Sequence, residues 1–492
     1  MFRGVRLHLL GQAAIFATTL FVTPRLVHGL NTEGYAVYTL IWTLINYIAL
    51  LSLGSGAATQ RYTALFAGKN EPARLASLLR SVLYFQVAVS GLGALINYAL
   101  HGWIAEHVLN MEPVLAATAG TVFAALSLAV PFFFILRFAL DVLYGQQRFG
   151  LYNLLNSLQM LSVAIAAAVL VGAGRGLREI ITVFIILHGA LAAAALLLVR
   201  RALWPGKSAG RPSDVREFAA FSLKGFLSQI LWMITFQGDR VFIGALLPIR
   251  QMGFYAIASG IAQKLNVLCG AVSSTVYPIF TELHGKGEEV RLRRLYLKAT
   301  QLNLYLLIPL SILTFVLAPQ FLTLWLGEEF SRTATWPLRL LVLGNFAYVG
   351  DYLPNNVASG KGAPQLFGFM RLGKVVVLIV LWLFAIPRWG ILGAAGGLAA
   401  AEWLGTPLFL TYIHRRFLAL GWWEYLKEGC WRPVAAGLAA TALGLVTHAR
   451  VGTWAELRLD GTLSAAAYLA AGYVMLDQDA KQLLSDFKKR YI

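Results

Sequence analysis

Apolar residues run through this chain in blocks of about 20, separated by short polar connections. A helix needs about that many mostly apolar residues to cross the hydrocarbon core of a bilayer. Inside lipid only helices and closed barrels satisfy every backbone polar group. Windows of that size predict fourteen spans, near residues 8–27, 35–56, 79–101, 114–136, 151–172, 178–199, 218–246, 253–273, 299–319, 335–354, 370–387, 391–413, 431–448 and 461–476. The last is short. The first run follows a basic front and mimics a signal peptide, but it continues into Pro24 without a small-x-small cleavage site. It reads as a retained spanning helix. The predicted class is an all-α integral membrane protein.

Composition agrees. Of 492 residues, 58% are hydrophobic and 13% charged, against about 25% charged in soluble domains. Disordered, disulfide-stapled and ordinary cytosolic classes are excluded. Lys and Arg total 41, Asp and Glu 23, a formal charge of +18. In a soluble chain that excess would suggest nucleic acid; here it suits inner loops facing anionic headgroups, and no nucleic-acid partner is expected. With the N-terminus inside, and with basic residues within five positions of a span end counted with the adjoining connection, inner segments hold 29, three of them (Lys361, Arg371 and Lys374) between the tenth and eleventh spans, and outer connections hold 9. Lys224, Arg240 and Lys264 fall within spans. The bias is positive-inside, with both termini cytoplasmic. Cys269 and Cys430 stand far apart and suggest no metal site.

The two halves resemble one another. Gly34 matches Gly253 at an offset of 219, Gly68-Lys69 matches Gly285-Lys286 at 217, and Gly145 matches Gly360 at 215. Arg200-Arg201 matches Arg415-Arg416, again at 215. Each pair holds the same place relative to the spans. Six spans per half make the repeat parallel, with a substrate path expected at the interface of the halves. The expected organisation is an N-terminal six-helix bundle (1–205), a cytoplasmic linker (206–217), a C-terminal six-helix bundle (218–416) and a final segment (417–492). That segment holds an amphipathic stretch, spans 13 and 14 and a cytoplasmic tail.

GDRVFIGALLPIRQMGFYAIA (238–258) carries an Asp near the end of the seventh span, then Gly253, Phe254 and Tyr255 opening the eighth. TPRLVHGLNTEGYAVYTL (23–40) is the matching first-half segment, and LWLGEEFSRTATWPLRLL (324–341) holds a Gly-acidic-aromatic turn. These segments resemble the polysaccharide exporters and O-antigen flippases of the multidrug/oligosaccharidyl-lipid/polysaccharide exporter superfamily. The resemblance implies two six-helix bundles rocking between inward- and outward-open states, and a lipid-pyrophosphate-linked oligosaccharide as cargo. It also implies the bacterial cytoplasmic membrane as the location. Membrane lipids, a polysaccharide polymerase and chain-length machinery are the partners expected with it.

Charges within spans are costly and usually face a bundle interior. In the seventh span Lys224, Ser228, Thr235 and Asp239 recur at helical spacing, with Arg240 beside Asp239. Either they line a path, or Lys224 snorkels to the surface and Asp239-Arg240 is a local pair. The eighth span puts Tyr255, Ser259, Gln263 and Asn266 on one face, and the second repeats the pattern with Tyr35, Thr39, Thr43 and Asn46. Such groups suit sugars, and equally suit polar contacts between helices. Arg25 and Lys264 are candidates for a pyrophosphate; Arg25 serves equally well as an interfacial anchor. Asp351, on one face with Tyr348 and Asn355 where Pro354 breaks the ladder, and the isolated Glu402 are candidate ion-coupling groups.

No catalytic residues, metal or cofactor are expected. Gly206-Lys207-Ser208 has Arg201 where a phosphate loop needs its first glycine. Asp477-Gln478-Asp479 reads as a solvated helix end. Two basic, aromatic stretches, 68–80 and 414–429, are expected to ride the inner surface. The favoured reading is an ion-coupled flippase rather than an enzyme. Its rivals are a peptidoglycan-precursor flippase, a cation-coupled drug exporter and, from another class, a membrane-embedded glycan polymerase or ligase, disfavoured by the short outer loops.

Overall fold

The computed structural model describes residues 2–109, 111–204, 212–438 and 452–475. The described residues are helical throughout, joined by short turns, with no strand among them. The helices are α1 (Phe2–Ala49), α2 (Ser55–Gly68), α3 (Pro72–Trp103), α4 (Pro113–Gly145), α5 (Phe149–Gly172), α6 (Leu177–Leu203) and α7 (Pro212–Leu246). They continue as α8 (Ile249–Gly285), α9 (Glu289–Leu326), α10 (Glu328–Val349), α11 (Tyr352–Gly360), α12 (Gln365–Ile413) and α13 (Trp454–Met475). Among the described residues, eight helical stretches are long and apolar enough to cross a membrane. The chain is a multi-pass all-α membrane protein.

Two of those stretches hold two predicted spans each. A straight helix the length of α12 would run about 70 Å, more than twice a bilayer core. It is broken at Gly390 (φ 57°), and Trp382 Nε1 donates to the Ala394 carbonyl at 3.0 Å, so the arms fold back as an antiparallel hairpin. α1 breaks at Asn31 (φ 57°). Asn tolerates the left-handed region, and its Oδ1 accepts from the Gly34 N–H at 2.9 Å, capping the second arm. Residues from both arms join one apolar cluster with the end of α5.

The second predicted span overruns its helix. Leu53 (φ 53°) and Gly54 (φ 75°) separate α1 from α2, so 35–56 is not one helix. A Cβ on Gly54 would lie 2.6 Å from the Ser222 carbonyl of α7, so both the backbone angle and the close approach require glycine there. The tenth predicted span is likewise cut, between α10 and α11 at Gly350-Asp351. Pro354 lacks the N–H that would have bonded the Gly350 carbonyl.

The repeat is visible in backbone geometry. After α2, Asn70 (φ 54°) closes a left-handed turn in which the Lys69, Asn70 and Glu71 N–H groups donate to the Leu65, Ala67 and Phe66 carbonyls. After α8, Gly287 (φ 72°) closes the same turn with Lys286, Gly287 and Glu288 donating to Glu282, His284 and Leu283. Every partner is displaced by 217 positions. The ends of α4 and α11 match in the same way at 215, around Gln147 and Gly362. The matched glycines also do the same work. A Cβ on Gly145 would sit 2.6 Å from the Gln60 carbonyl of α2, and one on Gly360 3.2 Å from Thr281 Oγ1 of α8.

The chain forms two compact units, Met1–Gly253 and Phe254–Ile492. The core of the first gathers α2, α3, α4 and α6 around Leu79, Phe138 and Leu143. α7 packs on α2 within this unit, and Arg74 pins its start by two bonds to Asp214, at 2.6 and 3.1 Å. The core of the second gathers α8, α9, α11 and α12 around Phe280, Tyr296 and Val357. Of the expected linker, 206–211 lies outside the described residues, as do 439–448 of span 13, residue 476 of span 14, and Asp477-Gln478-Asp479 with the tail.

Candidate functional site

Two polar sites are built inside the units. In the first unit, a cavity of about 560 Å³ opens beside the break between α1 and α2. The break turns Ser52, Ser55 and Gln60 toward it, and Asn46 enters from α1. α4 supplies Arg137 and Asp141, four residues apart on one helical face. Gln60 Nε2 donates to Asp141 Oδ1 at 2.8 Å, and Gln86 Nε2 to Ser55 Oγ at 3.0 Å. Gly56 leaves room for the carboxylate, since a Cβ there would lie 2.8 Å from Asp141 Oδ2. Gln229 and Trp232 of α7 complete the wall. An arginine, a carboxylate, several amides and an aromatic ring form a surface that hydrates readily and can bond hydroxyls.

In the second unit, two acidic side chains, two basic ones and one hydroxyl meet in a sealed cluster. Asp351 stands at the break between α10 and α11, Arg371 and Lys374 on the first arm of α12, Glu402 and Thr406 on the second. Exposure is 0% for Asp351, 2% for Glu402, 3% for Arg371 and 4% for Lys374. Lys374 Nζ reaches Asp351 Oδ2 at 2.6 Å, Glu402 Oε2 at 2.7 Å and Thr406 Oγ1 at 2.7 Å. Those three acceptors match the three donors of an ammonium. Arg371 Nη1 donates to Glu402 Oε1 at 2.9 Å, and its guanidinium lies over the Tyr348 ring, 4.6 Å from the centroid. Two positive and two negative charges sum to zero. That balance makes the burial tolerable, because an unpaired buried ion costs several kcal/mol. The Lys374 stem crosses Gly405, where a Cβ would lie 2.3 Å from its Cε.

The expected residues divide accordingly. Asp351 and Glu402, chosen separately from the sequence, come together through Lys374. Asn46 lines the first cavity. Asp239 is 1% exposed and its Oδ1 accepts from the Arg240 backbone N–H at 2.8 Å, while Arg240 Nη1 donates to Thr43 Oγ1 at 3.3 Å. On α8, Tyr255 and Ser259 are buried, and Ser259 bonds its own helix at the Ala256 carbonyl. Asn266 Nδ2 donates to Asn345 Oδ1 of α10 at 2.6 Å, a bond between helices. Gln263 and Lys264 are half-buried on α8. Arg25 is exposed and donates to its own helix at the Phe21 carbonyl. The Lys224 side chain lies outside the described residues.

Sequence reasoning missed Arg371 and Lys374. Both lie at the start of the predicted eleventh span and count there with the basic loop before it, whereas the structure buries both within α12. Their spacing of three on one helical face, opposite Glu402, was the available signal. The predicted fourth span ends at 136, but α4 continues to Gly145 and carries Arg137 and Asp141.

A family model described as polysaccharide biosynthesis protein matches residues 64–335, more than half of the chain. The chain belongs to this family. Among its relatives is a Shigella flexneri protein described as an O-antigen transporter, 22% identical over 383 residues, covering 77% of this chain and 90% of that one. The uncharacterized membrane protein EpsK of Bacillus subtilis is 22% identical over 487 residues, covering 96% and 95%. Among solved structures, the lipid II flippase MurJ in an inward closed conformation superimposes with a TM-score of 0.73 at 13% identity, covering 94% of this family member and 99% of that chain. An inward-facing multidrug resistance MATE transporter superimposes at 0.69 and 13% identity, covering 82% and 95%. At such identities the likeness is one of fold.

Proposed function

We propose that this protein is a flippase that moves a lipid-pyrophosphate-linked oligosaccharide across the bacterial cytoplasmic membrane by alternating access, for O-antigen or polysaccharide export. The observation that carries the reading is membership of the polysaccharide biosynthesis family, with an O-antigen transporter aligned over 90% of its length. The first-unit cavity supports it: Gln60, Asn46 and Gln229 suit sugar hydroxyls, and Arg137 suits a phosphate. Lys224, Asp239, Arg240 and Lys264 remain candidates for the same path, together with Arg25 and the α8 face of Tyr255, Ser259, Gln263 and Asn266.

Ion coupling belongs to the second unit on this reading. A proton or cation reaching Asp351 or Glu402 competes with Lys374 for the carboxylate and frees α11 from the α12 hairpin. Orientation follows the basic excess, with both termini on the cytoplasmic side. A polymerase and chain-length machinery then act on the delivered units.

A deletion strain tests the proposal. Lipid-linked repeat units should accumulate on the inner leaflet and clear when the gene is restored. If single units instead reach the outer face unpolymerised, the protein is a polymerase or ligase.

A further inference from the structure

A second cavity lies in the C-terminal unit, apart from both polar sites, and has a volume of about 840 Å³. One wall is the first third of α9, which presents Arg294 and Lys298 four residues apart on one face. The other is the segment after the α12 hairpin, where a turn of wider helix (Tyr425–Cys430) presents Lys427 and the next turn Arg432. Glu428 is the single acid in the lining. Trp423 and Trp431 flank the mouth, 78% and 60% exposed. Arg293, beside Arg294, pairs instead with Glu424, which ties the two walls together.

The cavity does not end in polar surface. Val434 lines it and also lines an adjoining apolar groove of about 370 Å³. The groove is walled by Ile308, Ile312 and Phe315 of α9, Phe346 of α10 and Leu438. Gly437 brings 431–438 against α9, since a Cβ there would lie 2.5 Å from Ile308 Cγ2. From Lys298 to Phe315 the helix rises about 26 Å, so the charged mouth sits roughly one acyl-chain length from the far end of the groove.

A cationic mouth with exposed tryptophans, opening onto an apolar groove, has the shape of one lipid. We propose that this is a binding site for an anionic glycerophospholipid of the surrounding bilayer, with its phosphate between the α9 cations and Lys427-Arg432 and one acyl chain along the groove. Basic pockets between spanning helices on the cytoplasmic side hold such headgroups, and the tryptophans mark the interfacial level. The walls belong to the twelve-helix repeat on one side and to the segment beyond it on the other. Bound lipid therefore cements the segment after the α12 hairpin onto α9. The proposal does not depend on the transported cargo.

The test is native mass spectrometry of the purified full-length protein, titrated with phosphatidylglycerol, phosphatidylethanolamine and a polyprenyl pyrophosphate. Phosphatidylglycerol should bind about 100-fold tighter than phosphatidylethanolamine, as a net excess of three cations predicts. Arg294→Glu/Lys427→Glu takes the net charge from +3 to −1, so the preference should be lost and invert to about fivefold for phosphatidylethanolamine, with an unchanged unfolding midpoint. Should that variant misfold, Lys427→Glu alone, at an exposed position, removes two units of charge and should cut the preference about twentyfold. Equal binding of the two phospholipids, or a preference unchanged by the substitutions, overturns the site. Displacement of phosphatidylglycerol by equimolar polyprenyl pyrophosphate also overturns it, and makes the pocket a docking place for the carrier.

Discussion

The two units solve the problem of charge inside a membrane protein in opposite ways. The first sets Arg137 on the wall of a cavity with amides around it, and buries Asp141 (1% exposed) at the edge of that cavity behind Gln60. The second packs Asp351, Arg371, Lys374 and Glu402 against each other and leaves no room. Both halves descend from the same helix pattern, down to matching left-handed turns, yet they break different helices. The first interrupts its second span at Leu53-Gly54, and the second interrupts its fourth at Gly350-Asp351. Each break sits beside its polar site. The lesson is that duplicated bundles diverge where a helix is cut, because a cut frees backbone and side chains for chemistry. On the proposed function, the first site meets a ligand and the second holds until something displaces Lys374.

The sharpest challenge to this contrast is Lys374→Ala. It strands two carboxylates with one guanidinium and should cost about 3–5 kcal/mol, read as a lowered unfolding midpoint in detergent. Lys374→Met/Glu402→Gln restores neutrality and should recover most of that loss. Failure to recover would mean that contacts specific to the ammonium, rather than charge balance, stabilise the cluster. Gly405→Ala comes next. The new methyl displaces the Lys374 stem and should cost about 1–3 kcal/mol in the same assay. Asp141→Asn keeps the side chain's shape and an oxygen that accepts from Gln60, so it should cost only about 1 kcal/mol, while export falls in a strain that depends on the protein. If it destabilises as much as Lys374→Ala, the first site is as dry as the second and the contrast fails. Ser259→Ala, whose hydroxyl bonds only its own helix among the contacts described, should stay within about 0.5 kcal/mol.

Much of this was legible in the sequence. The helical, multi-pass character and the order of the helices followed from block length, since a bilayer imposes one length on every crossing. The hairpin turns at Asn31 and Gly390 fell between predicted spans. Asp351 and Glu402 stood out because an acid surrounded by small and apolar residues has few reasons to be there. What was hidden was pairing at a distance. Arg371 and Lys374 sit at the edge of a hydropathy window, where a basic residue reads as loop, and only the hairpin brings Glu402 to them. Gln60 and Gln229 are uncharged, so no window flags them. The Leu53-Gly54 break lies inside an apolar run, and its cause is the α7 backbone, more than 160 residues away.

The central claim is transport, and purified protein in vesicles tests it most directly. A lipid-pyrophosphate-linked oligosaccharide is placed in the inner leaflet, and sugar reaching an external lectin is followed over time. The account predicts a protein-dependent rise that is lost with Lys374→Ala and weakened with Asp141→Asn. A rise no faster than in protein-free vesicles, under an imposed proton or cation gradient of either sign, would contradict it.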